Sequence, residues 1–135
     1  METKETTAKK KPTEEQLRKA MQAYIDALNK KDVDGIISLF AKDGTIEDPV
    51  GSVVEAAASG LKRLVGGLPP DATFTLDSPI RTSHDSSGAA FPMTVELKLD
   101  GKHLTIHSID VMQFDENGLI TEMKAYYGPT NIAVR

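Results

Sequence analysis

The amino-acid sequence predicts an α+β domain whose N-terminal helices pack on one face of a curved, mixed and mainly antiparallel sheet. Apolar residues recur at helical spacing in the first half of the chain, and β-forming residues fill the second half, partly in alternation. Short turn sequences separate the β-rich segments. Helices followed by such a meander are typical of the α+β class.

The first predicted helix begins at a capping box. Thr13 and Gln16 have the spacing at which each side chain bonds the other residue's backbone N–H. Asn29 and Lys30 end the helix. Its apolar face consists of Leu17, Ala20, Met21, Tyr24, Ile25 and Leu28.

Two shorter helices are predicted next. Asp34 caps the second helix and Gly44 closes it. Thr45 to Asp48 is then a short extended segment, which Pro49 stops. The third helix runs from about Val53 to Val65 and ends at the Gly66-Gly67 and Pro69-Pro70 pairs. The second helix carries the apolar residues Ile36, Ile37, Leu39 and Phe40.

The second half of the chain predicts four strands. Asp100-Gly101 is a strong hairpin signal, because both central positions of a two-residue turn favour positive φ. Polar turn sequences rich in Asp, Ser, Asn and Gly lie at the other two boundaries. The strands cover Thr73 to Ile80, Ala89 to Leu99, Lys102 to Phe114 and Leu119 to Tyr127.

Length and composition indicate one globular domain. The chain has 135 residues, 39% of them hydrophobic and 27% charged, which suits a single core. Met1 to Lys11 contain almost nothing apolar, so we expect a disordered tail over 1–11 and a single domain over 12–135.

Several classes of function are disfavoured by composition. A formal net charge of −4 argues against nucleic-acid binding. No apolar run approaches the roughly 20 residues of a membrane helix, and no signal peptide is recognisable, so a cytoplasmic location is expected. The absence of cysteine excludes disulfides and thiolate sites. The three histidines, His84, His103 and His107, lack convincing ligand spacing, so no metal site is expected.

Asp110 is the first candidate functional residue. Strand alternation places it on one face with Ile106, Ser108, Met112 and Phe114. A carboxyl group beside such residues has a raised pKa and stays protonated, which makes it a hydrogen-bond donor. The alternative is that the faces are reversed and Asp110 is solvated, since Ile109 and Val111 are apolar too.

Asp48 and Tyr24 are the other two candidates. If Ile46 points to the core, Asp48 points the same way, and Pro49 holds it extended as a rigid mount for a base. An Asp-Pro turn initiator is the alternative interpretation. Tyr24 lies on the buried helix stripe and needs a hydrogen-bond partner, although core tyrosines are common. One base and two neutral donors together could catalyse an enolisation.

These residues lie within segments that resemble bacterial ketosteroid isomerases of the cone-shaped NTF2-like superfamily. The similar segments are Ala23 to Ser52, Ala89 to Val95, Ser108 to Phe114 and Met123 to Ile132. The motif E-D-P-V-G-S, which contains Asp48, is the most specific of them. The resemblance covers nearly all of residues 13 to 135 and implies a cofactor-independent steroid Δ-isomerase.

The resemblance also implies roles for single residues. Asp48 matches the general base, and Tyr24 and Asp110 match the tyrosine and the protonated aspartic acid of the oxyanion hole. This family is a worked example of a carboxylic acid kept neutral by an apolar site. The resemblance further implies a small apolar steroid substrate and a homodimer formed through the open sheet face. Val95, Leu97, Met112 and Tyr127 match pocket-wall positions, and Met93 is expected to pack or to line an apolar ligand.

The sequence lacks a tyrosine at two positions where members of the family can have one. Val65 stands where the family often places a tyrosine that supports the oxyanion-hole tyrosine, and Phe40 matches a variable third tyrosine. Two alternatives therefore remain: a polyketide cyclase-like enzyme on the same fold, and a non-catalytic NTF2-like module that binds a small ligand or dimerises. Asp48 distinguishes an enzyme from a non-catalytic module, because a binding module gains nothing from an unpaired acid in an apolar pocket.

Overall fold

The computed structural model describes residues 11–135. The tail expected over 1–11 thus lies almost entirely outside the described residues. Three helices are α1 (Glu14–Lys30), α2 (Val33–Ile37) and α3 (Ala57–Gly66). Eight strands follow the chain as β1 (Phe40–Glu47), β2 (Val54–Ala56), β3 (Thr73–Leu76), β4 (Arg81–Thr82), β5 (Gly88–Leu99), β6 (Lys102–Phe114), β7 (Ile120–Tyr126) and β8 (Ile132–Val134), with one 3-10 turn at Pro129–Asn131.

The strands form one mixed sheet in the order β2-β1-β7-β6-β5-β3. Strand β1 pairs with β7 in parallel, whereas the other pairings are antiparallel, so the predicted fold class is confirmed. Strands β5 and β6 form the long central hairpin. Its turn has φ of 52° at Asp100 and 76° at Gly101, as the dipeptide predicted.

Helix α1 has the predicted capping box. Gln16 N donates to the Thr13 hydroxyl over 3.1 Å, and Thr13 N donates to the Gln16 side-chain oxygen over 2.8 Å. The apolar stripe of α1 faces the inner surface of the sheet, so the core lies between the helices and the strands. Leu17, Met21, Tyr24, Ile25 and Leu28 are all buried there.

The second helix is shorter than predicted. Its cap is Asp32, whose carboxylate accepts from Gly35 N over 3.0 Å, and the helix ends at Ile37. Strand β1 already begins at Phe40, so Gly44 lies inside a strand instead of closing a helix. The register with β7 shifts beside Gly44, where a Cβ would lie 3.0 Å from the Ile120 carbonyl oxygen. This close approach, and not a helix end, explains the glycine.

Three further boundaries differ from the prediction. Val54–Ala56 is a strand that pairs with β1, and α3 begins only at Ala57, because the edge of β1 offers these residues hydrogen bonds that a helix start would not. The strand predicted from Thr73 to Ile80 stops at Leu76, and a separate short strand, β4, follows the predicted segment. Strand β8 was not predicted; it pairs with β6 near the hairpin. Within residues 11–135, no helix is long and apolar enough to cross a membrane.

Candidate active site

A largely apolar cavity opens between α1, α3 and the inner face of the sheet. Its volume is about 140 Å³. An apolar cavity of about 150 Å³ is large enough to hold one benzene ring. The cavity is therefore close in volume to a space that holds one ring. The lining comprises Tyr24, Leu28, Asp48, Leu61, Leu64, Val65, Leu68, Phe74, Met93, Val95, Leu97, Ile106, Ser108, Asp110, Met123, Ala125 and Tyr127.

The three sequence-predicted polar residues all line this cavity. Tyr24 comes from α1, Asp110 from β6, and Asp48 from the residue directly after β1. Strand β7 pairs in parallel with β1 and antiparallel with β6, which brings Asp48 and Asp110 to the same inner surface. Residues distant in the sequence thus face one apolar space.

Asp110 is buried, with 2% of its surface exposed, on the face that alternation predicted. Burial raises its pKa to about 8, with a further contribution from the nearby Asp48 charge. The Ser108 hydroxyl donates to Asp110 Oδ1 over 3.3 Å, which opposes this rise. At neutral pH the group is therefore mainly protonated and can donate a hydrogen bond.

Asp48 is half-buried at the side of the cavity. Burial raises its pKa, while a hydrogen bond from Tyr127 and the Arg63 charge act in the opposite direction. Asp48 is less buried than Asp110 and has these two favourable contacts. Its carboxyl group therefore loses its proton at a lower pH than that of Asp110. Its charge then keeps Asp110 neutral. One cavity thus holds one carboxylate and one carboxylic acid.

The side chain of Tyr24 is held by Phe91. The two ring centroids are 6.4 Å apart at an interplanar angle of 56°. Phe91 of β5 also stands opposite Asp110 in the strand register. The buried ring of Phe91 therefore contacts Tyr24 and lies next to Asp110. Burial, together with the Asp110 and Asp48 carboxyls, raises the pKa of Tyr24 well above its ordinary value, so its hydroxyl stays protonated.

The predicted pocket-wall residues divide into two groups. Val65, Met93, Val95, Leu97 and Tyr127 line the cavity. Phe40 and Met112 do not line it and pack in the buried core.

Strand geometry explains these two corrections. Phe40 begins β1, eight residues before Asp48, and a strand advances about 3.3 Å per residue, so it lies near the opposite end of the strand. Met112 is fully buried two positions beyond Asp110, paired with Met123 and Ala89. Both side chains thus fill the core and not the cavity wall.

Sequence reasoning missed much of the cavity wall. The apolar face of α3 supplies Leu61, Leu64 and Leu68, the last just after the helix. Helical spacing from Leu61 to Leu64 and Val65 was a usable signal for this wall. The hydroxyl contacts of Ser108 and Tyr127 with the two carboxyls had no sequence signal, since they depend on strand register.

An ion pair lies near Asp48. Arg63 of α3 binds the Glu55 carboxylate of β2 through its guanidinium, with a second contact of 3.3 Å from Nε to Oε1. Arg63 lowers the pKa of Asp48 and Glu55 raises it, so the two charges act on Asp48 in opposite directions. No cluster of three or more acidic or histidine side chains suited to a metal ion occurs within the described chain.

The raised pKa of Asp110 predicts how the free energy of unfolding depends on pH. In the unfolded chain this carboxyl ionises near 3.8, whereas in the folded protein it holds its proton to about pH 8. The folded state thus binds more protons between these values, and the free energy of unfolding falls as pH rises from about 4 to about 8. Asp110→Asn, which is uncharged at every pH, should lack this component.

Thermal unfolding from pH 4 to pH 9 measures the effect. The melting temperature of Asp110→Asn relative to wild type should increase steadily with pH and level off above about pH 8. The exposed Asp43→Asn is the matched control and should track wild type. A constant difference between Asp110→Asn and wild type across the range would mean that Asp110 is not held neutral.

Comparison with known proteins identifies a family. The sequence profile of the SnoaL-like domain matches residues 21–123. The chain is 29% identical to a steroid Delta-isomerase of Nocardioides simplex, covering 88% of this chain and 95% of that protein. It is also 26% identical to the epoxide hydrolase LasB of Streptomyces lasalocidi, covering 95% of this chain but only 53% of LasB.

A solved structure is similar over most of the chain. It is that of SalBIII, described as an epoxide hydrolase/cyclase-like enzyme with a role in pyran ring formation in the polyether salinomycin. The two structures have a TM-score of 0.79 at 25% identity, covering 90% of this chain and 98% of SalBIII. Related proteins thus include an isomerase and epoxide-acting enzymes.

Proposed function

The chain belongs to the SnoaL-like domain family, and from this premise we propose that it is a steroid Δ-isomerase that converts 3-oxo-Δ5 to 3-oxo-Δ4 steroids without a cofactor. The observation that carries the proposal is the pairing of an ionised and a neutral carboxyl group in one apolar cavity. An apolar ring system fits this lining, and the two carboxyls with Tyr24 supply one base and two donors. The similarity to a steroid Delta-isomerase supports the choice of substrate class.

In the proposed mechanism Asp48 is the general base. Its carboxylate removes a proton from the carbon between the carbonyl group and the β,γ double bond, which gives a dienolate. The same carboxyl then returns the proton to the far end of the conjugated system. The net reaction moves one proton and one double bond, so substrate and product are isomers.

Tyr24 and Asp110 are the proposed donors to the dienolate oxygen. Both are protonated at neutral pH: Asp110 because burial raises its pKa to about 8, and Tyr24 because the ordinary pKa of tyrosine is already about 10 and burial raises it further. Negative charge develops on this oxygen during proton removal, and donors already fixed in an apolar cavity need no reorganisation to stabilise it. Donation by Asp110 requires its proton and is therefore available below about pH 8.

The direct test is the absorbance of the conjugated enone after addition of 5-androstene-3,17-dione. A protein-dependent increase that disappears in Asp48→Asn supports the proposal. Absorbance that rises no faster than in buffer, with a folded protein and a range of 3-oxo-Δ5 steroids, contradicts it.

Epoxide opening is a second candidate, favoured by the similarity to LasB and SalBIII. Neutral Asp110 could protonate an epoxide oxygen, while Asp48 removes the proton from an attacking hydroxyl or water. Liquid chromatography coupled to mass spectrometry of a hydroxy-epoxide separates the two reactions. Hydrolysis adds one water and cyclisation gives a product of the same mass at a new retention time, whereas an isomerase acting only on enones leaves the epoxide unchanged.

A homodimer is part of the proposal. The face of the sheet that the helices leave open carries Ile109 of β6, of which 50% is exposed, and the half-buried Val111. Apolar residues there support docking of a second copy through this face.

Val65 leads to a prediction for donor strength. A tyrosine at this cavity position could donate to the Tyr24 oxygen, and hydrogen bonds in series polarise one another by about 10–30% each. We expect Val65→Tyr to tighten binding of a phenolate-like transition-state analogue and to change kcat only modestly. The gain is limited by overpacking, which costs about 1–3 kcal/mol. Calorimetric titration measures analogue affinity, and no change in a folded variant would mean that residue 65 does not reach Tyr24.

A further inference from the structure

Ser108 places a buried hydroxyl group in the wall of an otherwise largely apolar cavity. It lies on β6 two residues before Asp110, on the same inner face, and 6% of its surface is exposed. Within the described residues its side chain makes one hydrogen bond, which runs over 3.3 Å from Ser108 Oγ to Asp110 Oδ1. Because a buried hydroxyl without a partner is costly, this bond fixes the direction in which the Ser108 proton points.

Asp110 depends on the same bond. In the part of the chain that the structure describes, no other side chain or backbone group forms a hydrogen bond with its carboxyl group. Its cross-strand neighbours are Phe91 of β5 and Ala125 of β7, both buried and apolar. The second carboxyl oxygen, Oδ2, is thus left without a protein partner, and a ligand in the cavity can supply one.

Three titratable groups act on Asp110 from other elements. They are Asp48 after β1, Tyr24 of α1 and Tyr127 after β7. The pKa of each tyrosine is raised, so both keep their protons through the neutral range and Asp48 is the one that carries a charge. The side chains that α3 and β5 contribute to the cavity wall are all apolar: Leu61, Leu64, Val65, Met93, Val95 and Leu97.

The Ser108 bond determines which oxygen of the neutral acid carries the proton. A carboxylic acid has one protonated oxygen, which donates, and one carbonyl oxygen, which accepts. Because Ser108 donates to Oδ1, the carbonyl oxygen is Oδ1 and the proton is on Oδ2. Hydrogen bonds in series polarise one another, so the bond received at Oδ1 makes the O–H group at Oδ2 a stronger donor.

We propose that Ser108 is a positioning residue for the donor Asp110: its hydroxyl holds Oδ1 as the acceptor, so that Oδ2 presents its proton to the oxygen atom of the ligand. The catalytic consequence rests on the proposed isomerase function, whereas the orientation of Asp110 does not. The same bond also stabilises the ionised form of Asp110. Ser108 therefore strengthens the donor at neutral pH and narrows the pH range in which the donor keeps its proton.

Ser108→Ala tests the proposal by removing the hydroxyl group and little else. Loss of a hydrogen bond to the charged form raises the pKa of Asp110 above its value of about 8. The basic limb of the kcat/KM profile, which reports the free enzyme, should therefore move to higher pH. Below pH 8 we expect kcat to fall by roughly two- to tenfold, the range for one net hydrogen bond, with less change in KM. The ratio of variant to wild-type kcat/KM should rise as pH increases above about 8.

Two variants serve as controls. Ser108→Thr keeps the hydroxyl and should leave the basic limb at its wild-type position. Ser38→Ala makes the same change as Ser108→Ala at an exposed residue just after α2 and should leave the profile unaltered. A loss of activity in Ser108→Ala that is equal at every pH would overturn the proposal, since a merely structural role produces that result. A basic limb moved to lower pH would also overturn it, because Asp110 would then donate to Ser108.

A second measurement does not depend on turnover. The 13C shift of the Asp110 carboxyl, assigned by comparison with Asp110→Asn, reports its ionisation directly. Its titration should move to higher pH in Ser108→Ala and stay in place in Ser38→Ala. A titration moved in this direction in a protein that does not isomerise 3-oxo-Δ5 steroids upholds the role of Ser108 and rejects the steroid reaction. An unmoved or lowered titration in an active isomerase rejects the role of Ser108 alone.

Discussion

Asp48→Asn is expected to lower kcat by roughly 10²–10⁴-fold, the usual contribution of a positioned general base. The amide has nearly the same shape as the carboxylate but cannot accept a proton at neutral pH. Tyr127 can still donate to its carbonyl oxygen, and the donors Tyr24 and Asp110 are unaltered. Binding of a phenol of equilenin type should therefore survive, because the ligand oxygen meets the same donors.

Steady-state turnover of 5-androstene-3,17-dione measures this loss. Asp43→Asn makes the same chemical change on β1, at an exposed position away from the cavity, and should retain wild-type turnover. Near wild-type kcat in Asp48→Asn would show that another group removes the proton.

Periodicity predicted most of the fold. The capping box and apolar stripe of α1 are local signals, as is the positive-φ pair of the β5–β6 turn, and all of them are found in the structure. The predicted boundaries of helices and strands were wrong where pairing with a segment distant in the sequence decides the conformation. Val54–Ala56 is a strand only because β1 lies beside it, and β8 only because β6 does.

Alternation and burial also brought the candidate residues together on one surface. Placing Tyr24, Asp48 and Asp110 on inward faces required only local periods of 3.6 and 2 residues. The sequence could not reveal which hydroxyl meets which carboxyl, because Ser108 and Tyr127 reach their partners through strand register and chain crossing. For the same reason Phe40 and Met112 were assigned to the cavity although they fill the core.

Removal of the two donors has the second largest expected effect. Tyr24→Phe and Asp110→Ala should each lower kcat by roughly 10²–10³-fold, as loss of one oxyanion-hole donor does. Asp110→Asn is the matched control for Asp110→Ala: its amide still carries N–H donors, so it should lose less activity. KM should change little in all three variants if the donors act mainly on developing charge.

The double variant Tyr24→Phe/Asp110→Ala tests whether both donors act on one oxygen. Both side chains line the same small cavity, and Phe91 contacts one and pairs with the other. When one donor is removed, the remaining one carries more of the dienolate charge, and water can enter the space that is left. Groups that share a ligand atom therefore show losses that deviate from the sum of the single losses, by about 0.5–3 kcal/mol. Rates from single-turnover measurements on all four proteins give this coupling energy, and strict additivity would show that Tyr24 and Asp110 stabilise different atoms.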